Sequence, residues 1–197
     1  MEETNKLINY TGKAFISCSL REEDKKFIHG IEKILKRHKI EPFGTVGKYS
    51  AAPNNPAQHM KDNIPKADIV IIVATPRYFQ RDIKTGEESF GLSEMLHVET
   101  GMAFMADKPV IAFVKKGTEI GSFLPKITQY IVLDETNEDL KNKWELITSL
   151  LKNAVKIAFE KRNKESAPNL WGNIKGGLAF IGGVFLVDQI FFSSRDE

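Results

Sequence analysis

The chain has 197 residues, enough for one domain with a sizeable core plus an appendage. Its 28 basic and 26 acidic side chains leave a net charge of +2 with no dense Lys/Arg block, which excludes a polyanion-binding profile, so no nucleic acid is expected as a partner. The one cysteine, Cys18, excludes an internal disulfide and fits a reducing, cytoplasmic compartment. Met1 to Thr11 is polar and charged, so no secretory signal is expected there.

In chain order, Lys13 to Ser17 reads as a short strand. Glu22 to Lys39 follows with Phe27, Ile28, Ile31, Ile34 and Leu35 at helical spacing. Glu41 to Phe43 reads as a second short strand, and the turn formers of Gly44 to Pro56 as a loop. Gln58 to Ile64 reads as a helix that ends near Pro65. The continuous β-branched run Asp68 to Ala74 predicts a strand buried on both faces, ended by Pro76. Lys84 to Gly91 is polar and reads as a surface loop. Leu92 to Ala106 predicts a helix, and Val110 to Val114 and Tyr130 to Leu133 predict two more strands. Thr136 is a candidate N-cap for a last long helix with Leu140, Trp144, Ile147, Leu150, Leu151, Ala154 and Ile157 on one face.

Strands alternating with helices mean a parallel sheet covered on both faces, and five strands at this spacing predict an α/β, flavodoxin-like, doubly wound domain. Ligands of such sheets bind at the carboxyl ends of the strands, near the switch in strand order. The loop after Ser17, the loop after Phe43 and the start of the Leu92–Ala106 helix are therefore candidate site walls. Within that helix Leu92, Met95, Leu96, Glu99, Met102, Ala103 and Ala106 share one face, with Glu99 at its centre. A carboxylate so placed is desolvated, at a cost in free energy, unless it is paired or put to use; the alternative is that Glu99 lies at the edge of the stripe and snorkels, or pairs with a nearby Lys or Arg.

Ser17 and Ser19 stand where they could hydrogen-bond a ligand, or cap a turn. Phe43 and Tyr78 could stack on a flat ring, or fill core. Cys18 has no His at a motif spacing and reads as a buried, inert thiol. His97 lies about 200° around the helix from Glu99 at 100° per residue, which argues against an acid/base pair. His29, His38, His59 and His97 show no metal-ligand spacing, so no metal is expected. Gly44-x-x-Gly47 matches no phosphate-loop pattern.

Several segments carry a family resemblance. FISCS (Phe15 to Ser19) followed by Asp24 resembles the opening strand and loop of Toll/interleukin-1 receptor (TIR) domains. IPKADIVIIVATPRYF (Ile64 to Phe79) resembles the family's middle strand and Tyr-containing loop. Ser93 stands six residues before Glu99, as in the family's Ser-x-Trp-x-x-x-Glu pattern, with Met95 in the place of the Trp. ETGMAFMADKPVIAF (Glu99 to Phe113) resembles the Glu-bearing helix and fourth strand, and is also similar to the matching segment of nucleoside 2-deoxyribosyltransferases. The order of these segments over Lys13 to Leu133 is most similar to the bacterial, antiphage (Thoeris-type) branch. The loop after Phe43 departs from the family in lacking its usual acidic and basic residues.

The resemblance implies an NAD glycohydrolase or cyclase in bacterial defence, with Glu99 catalytic and Ser17, Ser19, Phe43, Tyr78, Ser93 and Met95 as candidate substrate-binding residues. NAD would be the substrate, no cofactor would be needed, and the products would be nicotinamide with ADP-ribose or a cyclic ADP-ribose signal. The alternatives are a non-catalytic TIR scaffold that signals by self-assembly, and deoxyribosyltransferase-like glycosyl transfer.

The expected organisation is an N-terminal arm (1–12), a TIR-like domain (13–162), a linker (163–173), a hydrophobic helix (174–192) and a short tail (193–197). Gly176 to Phe192 has eleven apolar side chains and four glycines, but also Asp188 and Gln189. It fits either a short transmembrane helix, anchoring a cytoplasmic domain at the inner membrane, or a Gly-rich helix buried in an oligomer interface. Trp171 and Lys175 stand where interfacial anchors would. Both readings make the tail a self-association element. Deleting Trp171 to Glu197 is therefore expected to leave a monomeric, soluble domain by sedimentation. A truncated chain that assembles like the full one would remove the tail from that role.

Overall fold

The computed structural model describes residues 9–44 and 56–166. Most of the N-terminal arm, the loop 45–55 and everything from 167 onward, including the expected hydrophobic helix at 174–192, lie outside the described residues. The elements in order are β1 (Gly12–Cys18), α1 (Lys25–Arg37), β2 (Ile40–Phe43), α2 (Pro56–Asn63), β3 (Ile69–Ala74), β4 (Tyr78–Arg81), β5 (Glu88–Gly91), α3 (Glu94–Met105), β6 (Val110–Lys115), α4 (Leu124–Ile127), β7 (Gln129–Leu133), α5 (Asn137–Asn142) and α6 (Trp144–Ser166).

The central sheet has five parallel strands in the order β2-β1-β3-β6-β7, the doubly wound flavodoxin-like arrangement. β3 lies at its middle, and all six of its residues are fully buried. Its side chains alternate between two cores. Ile69, Ile71 and Val73 join α1 and α6, through Ile28, Ile31, Leu35, Ile147 and Leu151. Val70, Ile72 and Ala74 join α2 and α3, through Met60, Leu92, Leu96 and Ala103. This two-sided burial is why the sequence of β3 is continuous in apolar residues, with no alternation. The order of strands reverses between β1 and β3, and that switch point is where the sheet opens a crevice.

Three expectations are corrected. Glu88 to Gly91 is not loop but strand β5, paired antiparallel with β4 in a separate two-stranded hairpin. The turn between them is built by Asp82, whose Oδ1 accepts from Lys84 N (2.7 Å) and Thr85 N (2.8 Å), and by Gly86 at φ +74°. α4 was not predicted, being a four-residue turn after Phe123. The last helix is two helices: Thr136 does cap the first, accepting from Asp139 N, and the chain breaks at Lys143 before α6. α6 then runs to Ser166, so 163–166 is helix where a linker was expected.

On α6 the inward face is Ile147, Leu151, Ala154 and Ala158, while Ile157 is 55% exposed. The far end of that helix is clamped by Arg162 on Asp68 (3.2 Å) and Lys161 on Asp107. No helix among the described residues is long and apolar enough to cross a membrane.

The packing predicts a sharp contrast on α6. Leu151→Ala removes a fully buried side chain and is expected to cost about 2–5 kcal/mol in denaturant unfolding. Ile157→Ala, on the exposed face of the same helix, is expected to change stability by less than about 0.5 kcal/mol.

Candidate active site

The crevice at the switch point is a cleft of about 310 Å³ at the carboxyl ends of β1 and β3, under the first turns of α3. β1 and the loop after it supply Ile16, Ser17, Cys18, Ser19 and Leu20. β3 and its exit supply Val73, Thr75 and Arg77, and α3 with its leading residue supplies Ser93, Met95, Leu96 and Glu99.

Side-chain alternation explains the meeting of β1 and α3. Phe15 faces the core under α3, so Ser17, two residues on, faces the same way. Its hydroxyl donates to Glu99 Oε2. Ser17 is 1% exposed, and the rest of the wall around the carboxylate is largely apolar. Burial pushes the Glu99 carboxyl up to about 7 from an ordinary value near 4.5, and the hydrogen bond from Ser17 opposes that rise by favouring the ionised form.

The α3 stripe differs from its expected geometry. The centre of the buried face is Thr100, fully enclosed, whose hydroxyl donates to Leu96 O at 2.6 Å. Glu99 lies on the flank of that face, half-buried, and turns into the cleft. Met95 is 44% exposed and forms the cleft mouth. A carboxylate at the centre of the stripe would be sealed from any ligand. On the flank it is desolvated and reachable together.

Of the candidate binding residues, Ser17, Ser19, Ser93 and Met95 share the cleft with Glu99. Phe43 and Tyr78 do not line it. Phe43 packs edge-on against Phe15, centroids 6.4 Å apart, at the border of the core. Tyr78 begins the hairpin, half-exposed, with the Arg77 guanidinium carbon 5.9 Å from its ring centroid. Cys18 is half-buried on the cleft wall, not enclosed in core. His97 lies outside the cleft, with its ring against Phe123 at 6.0 Å.

The sequence reasoning missed Thr75 and Arg77. Pro76 ends the strand signal, and a strand exit has no periodicity to follow; only the rule that ligands sit at carboxyl ends of strands could have flagged them. It also missed Arg21, the brace beneath the site. Arg21 Nη2 donates to Pro76 O, tying the exit of β1 to the exit of β3. The same guanidinium pairs with Glu23 at 3.1 Å and with the nearly buried Asp24 at 3.6 Å.

No family model and no curated protein matches the chain. Among solved structures it is similar to the CMP N-glycosidase BcmB of Clostridium botulinum, with 16% identity and a TM-score of 0.43 over 68% of this chain and 98% of that one. It is also similar to a 2-deoxyribosyltransferase of Bacillus psychrosaccharolyticus, with 17% identity and a TM-score of 0.37 over 64% and 88%. A third is the NAD(P)H:acceptor flavoenzyme FerB of Paracoccus denitrificans, with 13% identity and a TM-score of 0.41 over 75% and 97%.

The raised Glu99 carboxyl has a consequence for stability. Its folded-state value lies above its unfolded one, so the contribution is complete below about pH 4.5 and is lost as pH rises to about 7. The loss is on the order of 3 kcal/mol. Glu99→Gln is therefore expected to gain stability over the wild type at pH 8 relative to pH 4.5, by chemical denaturation at both. An unchanged difference would show that the carboxyl is not desolvated.

Proposed function

We propose that this protein cleaves an N-glycosyl bond, with Glu99 as the catalytic residue, and that its substrate is NAD. The observation that carries this is a single desolvated carboxylate, hydrogen-bonded by Ser17, at the end of a cleft at the sheet's switch point. The TIR-like order of segments in the sequence supports NAD as substrate and a role in bacterial defence.

The chemistry suits that residue. When the bond between ribose C1′ and the nicotinamide nitrogen breaks, its electron pair neutralises the pyridinium, and nicotinamide leaves as a neutral molecule. No general acid is required. Positive charge develops on the ribose, as in other glycosyl cleavages. An ionised Glu99 in a wall of low dielectric stabilises that cation, and Ser17 holds the carboxylate oriented. Water then adds to C1′ and loses one proton, giving ADP-ribose. A ring nitrogen of the substrate's own adenine attacking C1′ instead gives a cyclic product.

One observation favours a second reading. A carboxyl near 7 is about half protonated at neutral pH, and the protonated form can donate to the departing base of an uncharged nucleoside. The two readings predict opposite limbs of the pH profile. NAD cleavage by the carboxylate rises with pH through about 7, whereas nucleoside cleavage by the acid falls.

Nicotinamide release from NAD by the full chain is expected, with a loss of at least about 10²-fold in Glu99→Gln. kcat/KM for NAD is expected to fall about tenfold per pH unit below 6, with its midpoint moved upward in Ser17→Ala. Release from neither protein, with nucleosides cleaved by the wild type, would establish the second reading. No cleavage of either class would leave a scaffold whose Glu99 is structural.

A further inference from the structure

The cleft carries a second charge that the bond-breaking step does not use. Among its lining residues the charged side chains are Glu99, against the β1 wall, and Arg77, at the exit of β3. Arg77 is exposed, yet its position is fixed. Its backbone N donates to Gly91 O at 2.7 Å, closing the base of the β4–β5 hairpin, and its guanidinium lies over the Tyr78 ring.

Its charge is not committed in the way of those of Arg21 and Arg162. Arg21 is held by Glu23, Asp24 and Pro76 O, and Arg162 by Asp68. Among the described residues no carboxylate lies within 4.0 Å of the Arg77 guanidinium. Four hydroxyls share its cleft, those of Ser17, Ser19, Thr75 and Ser93. Ser93, at the start of α3, makes no side-chain capping bond, and Thr75 is nearly buried on the β3 wall.

A planar fork of N–H donors, with no acidic partner and with hydroxyls in the same cleft, matches a phosphate in both charge and geometry. The cleft volume falls at the small end of small-molecule sites, which suits one nucleoside moiety with its phosphate at the rim. We propose that Arg77, with Ser93, forms the phosphate-binding end of the cleft, so that the protein selects nucleotides over nucleosides. This rests on Glu99 marking the glycosyl end of the same cleft. Arg77 is then a specificity residue, at the opposite end of the ligand from the scissile bond.

The test separates binding from turnover. The full chain carrying Glu99→Gln is titrated by calorimetry with nicotinamide mononucleotide and with nicotinamide riboside. Arg77→Gln, Arg77→Lys and Arg81→Gln are then added singly to that background. The mononucleotide is expected to bind at least about tenfold tighter than the riboside. That preference is expected to fall at least about tenfold in Arg77→Gln, to fall partway in Arg77→Lys, and to persist in Arg81→Gln on the neighbouring hairpin. A preference that survives Arg77→Gln, equal affinities at the start, or binding of neither compound would each overturn the proposal. Arg77-dependent nucleotide binding without cleavage of NAD by the wild type would retain the phosphate site and reject the catalytic reading. Cleavage of NAD with no Arg77-dependent preference would do the reverse.

Discussion

The contact between the Ser17 hydroxyl and the Glu99 carboxylate is the constraint on which the site depends. A carboxylate in a largely apolar wall opposes its own ionisation, and the raised Glu99 carboxyl measures that opposition. The hydroxyl keeps the ionised form accessible near neutral pH. That geometry exists because β1 and β3 are neighbours at the reversal of strand order and α3 crosses above their carboxyl ends. Ser17 follows Phe15 on the side of β1 that faces α3, and lies where the strand runs out of covered core.

Holding those atoms in register needs rigidity below and beside them. Below, β3 is buried on both faces and cannot slip, because a one-residue shift would exchange its two sets of side chains between two different cores. Beside them, each wall is tied at its base. Arg21 joins the β1 and β3 exits through Pro76 O, and the Arg77 N to Gly91 O bond closes the hairpin before α3 begins. Asp24 accounts for part of this order. Nearly buried and opposite the Arg21 side chain, it holds the guanidinium toward the sheet.

What the sequence made legible follows from which signals are periodic. β3 announced itself through an unbroken β-branched run, because two-sided burial leaves that mark and little else does. Ser17 and Ser19 were found at a strand end, Met95 by helix spacing and Ser93 by its place in the family pattern, and all four line the cleft with Glu99. Periodicity placed Glu99 at the centre of the α3 face, but a 100° step cannot separate a residue at the centre from one on the flank, and Thr100 holds the centre. Phe43 and Tyr78 failed for a related reason. An aromatic ring at a strand end has core on one side and solvent on the other, and its sequence is the same in either case. The hairpin was hidden by its exposure. β4 shows no buried face, so no hydrophobic pattern marks it, although Asp82 and Gly86 spelled out its turn.

The two charges of the cleft together make an orienting field. A ligand that is positive at its glycosyl end and negative at its phosphate end is drawn in one direction, toward Glu99 with the first and Arg77 with the second. A nucleotide whose base carries a quaternary nitrogen has that distribution; a neutral nucleoside does not. Desolvation strengthens the attraction at the Glu99 end, and water and salt screen the one at the exposed Arg77 end. The buried charge is thus suited to act on the reacting atoms, where its field changes a barrier. The exposed one is suited to selection and orientation, where a modest, salt-sensitive attraction is sufficient. This division explains why the carboxylate needs a hydrogen-bonded, enclosed setting, while an arginine on a strand exit serves the other end.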